Sequence, residues 1–217
     1  MFSRFFSKKP IKSTSTPVQP PVEPQVQSPP FALTWLQFTS DKCKGKLALS
    51  QTPGKKLLKG RNGKSFNRDL KSDLLEIKET HKISTIVCLL NKFELRTVGV
   101  NLDEYKKICE IYKIHLIVYP IIEMGVPEED FVIFRKGILA EILTELAMEH
   151  NVLIHCRGGI GRAGTIACCV LLELKEKDSV DGAVRYLRRI RDKRCVESRK
   201  QYDFIKEFYH ICCYFVY

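Results

Sequence analysis

From Phe31 onward, short apolar blocks alternate with longer stretches in which apolar residues recur at helical spacing. The blocks near 47–50, 84–90, 115–119 and 152–155 are rich in Val, Ile and Leu and predict strands. Between and after them, the spacing predicts helices near 69–80, 102–112, 128–149, 162–175, 180–191 and 199–213. Strands separated by helices pair in parallel, so the pattern predicts an α/β domain with a central, mostly parallel sheet flanked by helices. The helix over 128–149 has the clearest stripe: Phe131, Phe134, Ile138, Ile142, Leu146 and Glu149 follow a 3.6-residue period, and Pro127 suits its first position. No internal repeat is visible.

Residues 10–30 consist largely of Pro, Ser, Thr, Gln and Val without large apolar groups, so residues 1–30 are expected to form a disordered tail ahead of one domain over 31–217. The first nine residues, MFSRFFSKK, read as a plain terminus, with a weak membrane-surface anchor or the start of a transit peptide as alternatives. At 217 residues and 44% apolar content the chain is expected to bury a single core. Its nine cysteines include no CxxC pair, and no secretory signal precedes them, which disfavours a disulfide framework or a zinc site. A reducing, cytoplasmic location fits, with the nucleus second. No run approaches the ~20 apolar residues needed to span a bilayer. The net charge of +11 draws the chain toward anions, whether phosphoproteins, acidic lipid or nucleic acid, without choosing among them.

The chemistry concentrates after the last strand. Val152-Leu153-Ile154-His155 leads directly into Cys156-Arg157-Gly158-Gly159-Ile160-Gly161-Arg162 and then into an apolar helical run from Ala163. Strand, glycine-rich loop and helix in that order make an anion nest: the loop amides turn inward, and the helix adds the positive end of its dipole. The same field favours the thiolate of Cys156, which is expected to be ionised at neutral pH. A thiolate beneath a bound phosphoryl group can attack phosphorus. Arg162 can fork two donors onto the equatorial oxygens, which a lysine cannot do. Residues 157–162 are the expected phosphate cradle. A buried cysteine in a glycine-rich turn is the plainer alternative, but it leaves the arginine unexplained. His155 is expected to be a structural hydrogen-bonding residue behind the nucleophile.

Phosphoester cleavage also needs an acid on a separate loop to protonate the leaving oxygen. Glu123, in Tyr119-Pro-Ile-Ile-Glu-Met-Gly-Val-Pro127 after a strand, is the best candidate. Glu128, Glu129 and Asp130 follow closely, but acids at a helix start commonly just complement its dipole. No metal or other cofactor is called for.

HCRGGIGRAGT with YPIIEMGVP upstream resembles the cyclin-dependent kinase inhibitor 3 type of dual-specificity phosphatase, also called kinase-associated phosphatase. LALSQTPG, Asn67-Arg68-Asp69-Leu70, TIVCLL followed by Glu94-Leu95, and Lys200-Gln201-Tyr202 extend the resemblance over about residues 45–210. It implies the flanked parallel sheet and metal-free hydrolysis of phosphoproteins through a cysteinyl-phosphate, with a protein kinase among the partners. Three positions depart from the family pattern. Glu123 stands where Asp is usual. Ala163 replaces a Ser or Thr whose hydroxyl assists breakdown of the intermediate, and Thr165 is expected to point elsewhere. Glu197 replaces a glutamine and sets an anion where phosphate is to bind. A weakly active or inactive phosphoprotein-binding module is therefore the rival reading.

Two segments have competing explanations. The basic run Arg185–Arg194 can bind RNA or acidic lipid, and related enzymes act on RNA 5′-phosphates and phosphoinositides; the plainer reading is a helix with Tyr186 or Leu187 and Ile190 inward and solvated arginines. Lipid-directed relatives commonly carry extra lysines in the catalytic loop, whereas this loop has only Arg157 and Arg162, which favours a phosphoprotein. The ending from Tyr209 to Tyr217, with Cys212 and Cys213, suggests either palmitoylation or packing on the core.

Overall fold

The computed structural model describes residues 28–39, 43–58, 60 and 63–214. The stretch up to residue 27, including most of the expected tail, lies outside them, as do the last three residues. The strands are β1 (Leu33–Trp35), β2 (Leu47–Gln51), β3 (Lys56–Leu57), β4 (Phe66–Asn67), β5 (Ile83–Cys88), β6 (His115–Val118) and β7 (Asn151–Cys156). The helices are α1 (Leu70–Glu79), α2 (Lys92–Thr97), α3 (Leu102–Ile111), α4 (Phe131–Phe134), α5 (Ala140–Ala147), α6 (Gly161–Glu173), α7 (Val180–Ile190) and α8 (Arg199–Tyr214).

The main sheet has the order β1-β2-β7-β5-β6, parallel except for β1 at one edge. Strand residues alternate between two cores. Leu47, Leu49, Val87, Val152 and Ile154 face α5 to α8, while Ala48, Ile86, Cys88 and Leu153 face α1 and α3. Because both faces are covered, β7 is apolar without interruption from Val152 to Ile154, the signature of a central parallel strand. In register, Gln51 lies beside Cys156, and His155 beside both Ser50 and Cys88. The segments after β2, β5, β6 and β7 therefore emerge at one end of the sheet, where open α/β sheets place ligands.

The single helix expected over 128–149 is broken. Asp130, not Pro127, opens it, accepting from the amides of Val132 and Ile133, both at 2.9 Å. A π-helical turn, Arg135–Leu139, then joins α4 to α5, with Gly137 outside helical geometry at φ −91°, ψ −115°. The apolar stripe survives because the offset lets Phe131 and Phe134 pack on Phe204 while Ile142 and Leu146 still reach the sheet. β1, the β3–β4 hairpin and α2 were not anticipated from the pattern. Packing also begins before residue 31, since Ser28 and Pro29 accept hydrogen bonds from Asn67 and Arg68.

One buried ion pair ties the hairpin to the sheet end. Arg68 Nε and Nη2 donate to the two oxygens of Asp73 at 2.8 and 2.6 Å, and the Gly54 amide donates to the same carboxylate at 2.7 Å. Asp73 thereby fixes the turn after β2. Removing one partner of a buried pair strands the other charge, so Asp73→Ala should lower unfolding free energy by roughly 3–5 kcal/mol. Urea titration should also show part of that loss restored when Arg68→Met is added.

Candidate active site

β7 delivers Cys156, 4% exposed, to the floor of a cavity of about 650 Å³. Thr52 Oγ1 donates to the Cys156 carbonyl at 3.1 Å, pinning the loop to the segment after β2. Arg191 holds the loop from the other side: Nη2 donates to the Gly158 carbonyl and Nε to the Gly159 carbonyl, both at 3.2 Å. A planar trans peptide points its carbonyl and the next amide in opposite directions. Drawing those two carbonyls outward therefore turns the amides of Gly159 and Ile160 inward, and the Gly159 N–H indeed meets Cys156 Sγ at 3.2 Å. Gly159 has φ +68°, and a Cβ there would collide with the Ser50 carbonyl oxygen, so both backbone and packing require glycine. The basic run was thus incompletely read as a solvated face. Arg185 and Arg189 are exposed, but Arg191 is a structural clamp.

Arg162 opens α6, whose residues are buried from Gly161 to Leu172 and whose first turn has no side-chain cap. Its Nη1 makes three bonds: to Glu94 Oε1 at 2.7 Å, to the Ile121 carbonyl at 2.7 Å and to the Leu89 carbonyl at 3.4 Å. Nε and Nη2 form no hydrogen bond among the described residues, and Arg162 lines the cavity with Cys156. One edge of the guanidinium is thus anchored to protein acceptors. Glu94 is itself held in a capping box: Asn91 accepts from the Phe93 and Glu94 amides while Glu94 accepts from the Asn91 amide. The signature Asn91-Lys-Phe-Glu94 directly after a strand was the signal available for it.

Glu123 sits at the cavity rim on a turn closed by the Gly125 amide on the Ile122 carbonyl. Ser198 Oγ donates to the Met124 carbonyl at 2.8 Å and Gln201 Nε2 to the Gly125 carbonyl at 3.2 Å, so α8 and the turn before it hold this loop. Glu128 is exposed and outside the cavity lining, Glu129 is bonded by the Tyr119 hydroxyl, and Asp130 caps α4. Glu197 also lines the cavity, with a carboxylate oxygen so near Gly161 that a Cβ there would strike it. Its amide donates to Gln201 Oε1 at 2.8 Å. Thr165 Oγ1 bonds back to the Gly161 carbonyl at 3.0 Å, and Ala163 is fully buried, so neither offers a hydroxyl to Cys156.

His155 is fully buried and its Nε2 lies 3.0 Å from the Tyr105 hydroxyl. Burial, reinforced by the charge of Arg162, pushes it down to about 3, so the ring is neutral. Lys55, in the turn after β2, also lines the cavity and was missed in the sequence. Only 7% exposed, it is pushed down to about 8 by burial and then by Arg157 and Arg68, while Cys156 opposes the shift. Among the described residues no group of His, Cys, Asp and Glu is arranged to hold a metal ion, and no helix is long and apolar enough to cross a membrane.

A parallel sheet with this cysteine–arginine loop between its last strand and the following helix is the fold of the cysteine-dependent phosphatases. Residues 10–184 match the family model described as Cyclin-dependent kinase inhibitor 3. The chain belongs to that family. It is 31% identical to the human cyclin-dependent kinase inhibitor 3 over 180 residues, 82% of this chain and 79% of the relative. The protein of that name from Rattus norvegicus is 29% identical over the same shares. A crystal structure of kinase associated phosphatase, with its catalytic-site cysteine replaced by serine, superposes with a TM-score of 0.74 at 26% identity, covering 88% of this chain and all of the other. Membership and fold together give the chain the architecture of the cysteine-dependent phosphatases.

A histidine held neutral below its ordinary range binds fewer protons folded than unfolded, so stability present above pH 6.5 should fall as pH drops toward 3. His155→Gln should flatten that slope in chemical denaturation measured from pH 7 to 4. Gly159→Ala should lower the melting temperature and abolish vanadate binding, whereas Gly158→Ala, with only Ile160 side-chain atoms at 3.6 Å or beyond, should perturb both far less.

Proposed function

We propose that the chain hydrolyses phosphate monoesters on proteins through a cysteinyl-phosphate, with Cys156 as nucleophile, Arg162 as clamp and Glu123 as acid and base. The observation that carries this is the half-anchored Arg162, which lines one cavity with Cys156. The S–P bond forms at Cys156 as the bond from phosphorus to the leaving oxygen breaks, and the Glu123 carboxyl gives that oxygen its proton. Residues 157–162 cradle the phosphoryl oxygens with amides and the free edge of the guanidinium. Water then attacks phosphorus, Glu123 takes its proton and the sulfur is released. An amide aimed at the sulfur favours negative charge there, as the attack requires. A phosphorylated protein kinase is the partner class we assign, because the human relative is named a cyclin-dependent kinase inhibitor and the matched structure a kinase associated phosphatase.

The rival reading, a phosphoprotein-binding module, draws on Ala163 and Glu197. With no hydroxyl at position 163, breakdown of the intermediate is expected to be the slow step. Stopped-flow assays with an aryl phosphate should show a burst of one equivalent followed by slow turnover, and Ala163→Ser should raise the steady rate relative to the burst. Cys156→Ser should abolish both phases, and Glu123→Gln should cut turnover of a poor leaving group by roughly 10²–10⁴-fold. Phosphopeptide binding without a burst would replace this reading with the binding module.

A further inference from the structure

The cavity is larger and more basic than one phosphoryl group requires. At about 650 Å³ it falls within the roughly 300–1,000 Å³ that encloses whole small ligands. Of the basic side chains that line it, Lys64 is exposed, Arg162 is taken by Glu94, Arg191 by the loop carbonyls and Arg194 by Asp192. Lys55 and Arg157 have no carboxylate partner among the described residues. Among the described residues Lys55 Nζ reaches two acceptors, Gln51 Oε1 and the Arg157 carbonyl, both at a long 3.4 Å, and lies 4.3 Å from the centre of the Phe66 ring. A lysine only 7% exposed, next to a guanidinium and with no carboxylate partner among the described residues, is an arrangement that an anion completes.

Position decides what carries that anion. Lys55 Nζ lies 3.4 Å from the carbonyl of Arg157, the residue immediately after the nucleophile, so a group that meets it lies beside a phosphoryl group over Cys156. Two phosphates on neighbouring residues of a peptide diverge along the chain, and only one reaches the floor. Two phosphates on adjacent carbons of a ring reach it together. We propose that Lys55 and Arg157 form a second anion subsite beside the Cys156 loop, which takes a second phosphoryl group carried on the same compact polyol as the first. The site thereby accepts a polyphosphorylated ring as a further substrate class. The lysine that was sought within the catalytic loop is supplied from the turn after β2.

This inference rests on phosphate binding at residues 156–162, and its test is a binding measurement that does not require turnover. Calorimetry on Cys156→Ser protein should show myo-inositol 4,5-bisphosphate binding about tenfold or more tightly than myo-inositol 4-phosphate, the size of one charge-assisted hydrogen bond. Adding Lys55→Met should erase that preference while phenyl phosphate affinity stays within about twofold, and Lys55→Arg should restore part of it. Equal affinity for the two inositol phosphates, or equal weakening of all ligands by Lys55→Met, would overturn the subsite in favour of a loop tether. Preference confined to a peptide with two neighbouring phosphates would overturn the ring. A protein that keeps the preference yet never hydrolyses an aryl phosphate would retain the subsite and lose the enzymatic reading instead.

Discussion

An arginine side chain only 4% exposed must have its charge answered, and the way Arg162 is answered organises the whole end of the sheet. Its Nη1 draws together the Leu89 carbonyl after β5, the Ile121 carbonyl after β6 and the Glu94 carboxylate at the start of α2. Three segments from separate parts of the chain thus converge on one nitrogen. Since all three bonds fall on that nitrogen, the fork is oriented before any ligand arrives, and the entropy of ordering it is met on folding rather than on binding. Glu94 can do this because its second oxygen is fixed by the Asn91 amide. An unsupported glutamate there would have to lose its own rotamer freedom to hold the arginine.

The loop is ordered by the complementary device. Arg191 and Thr52 bind carbonyls on its outer side, so the amides are left facing the cavity. Holding the rim requires backbone that L-residues adopt reluctantly. Met124, next to Glu123, has φ +61°, and Val196, next to Glu197, has φ +62°. Left-handed geometry costs about 1–2 kcal/mol per residue, and more weight attaches to Val196 because it is β-branched. The two strained residues belong to segments joined by Ser198 and Gln201, whose bonds to the Met124 and Gly125 carbonyls offset the strain. The two acids at the cavity mouth therefore share one support, and a change at Gln201 is transmitted to both.

Much of this was legible from local pattern. The four parallel strands, the loop and α6 follow from β-branched runs and glycine spacing, signals carried within a few residues. What escaped depended on distant partners. β1 and the β3–β4 hairpin have three and two residues per strand, too few for a period to register. The break at Gly137 is invisible because the apolar stripe continues through it. Lys55 looked like one of many surface lysines, and its burial comes from Phe66 and the loop, far away in sequence. Arg191, just past the end of α7, hid among the arginines of that basic run. Glu94 was noticed only as part of a resemblance, although the Asn91–Glu94 box supplied a physical reason to single it out.

The distribution of charge around the loop bears on why the departures at Ala163 and Glu197 need not cancel function together. Glu197 places a carboxylate against Gly161, where the first turn of α6 would otherwise present only positive potential, and so opposes an incoming dianion. Lys55 and Arg157 stand across the same cavity without carboxylate partners among the described residues and act in the opposite sense. Affinity is set by the sum of these fields, whereas release of phosphate from sulfur is set locally, by what touches the sulfur. The missing hydroxyl at position 163 belongs to the second quantity alone. On the mechanism proposed above, binding and turnover are therefore separable in this site, and its composition favours capture of phosphate over release.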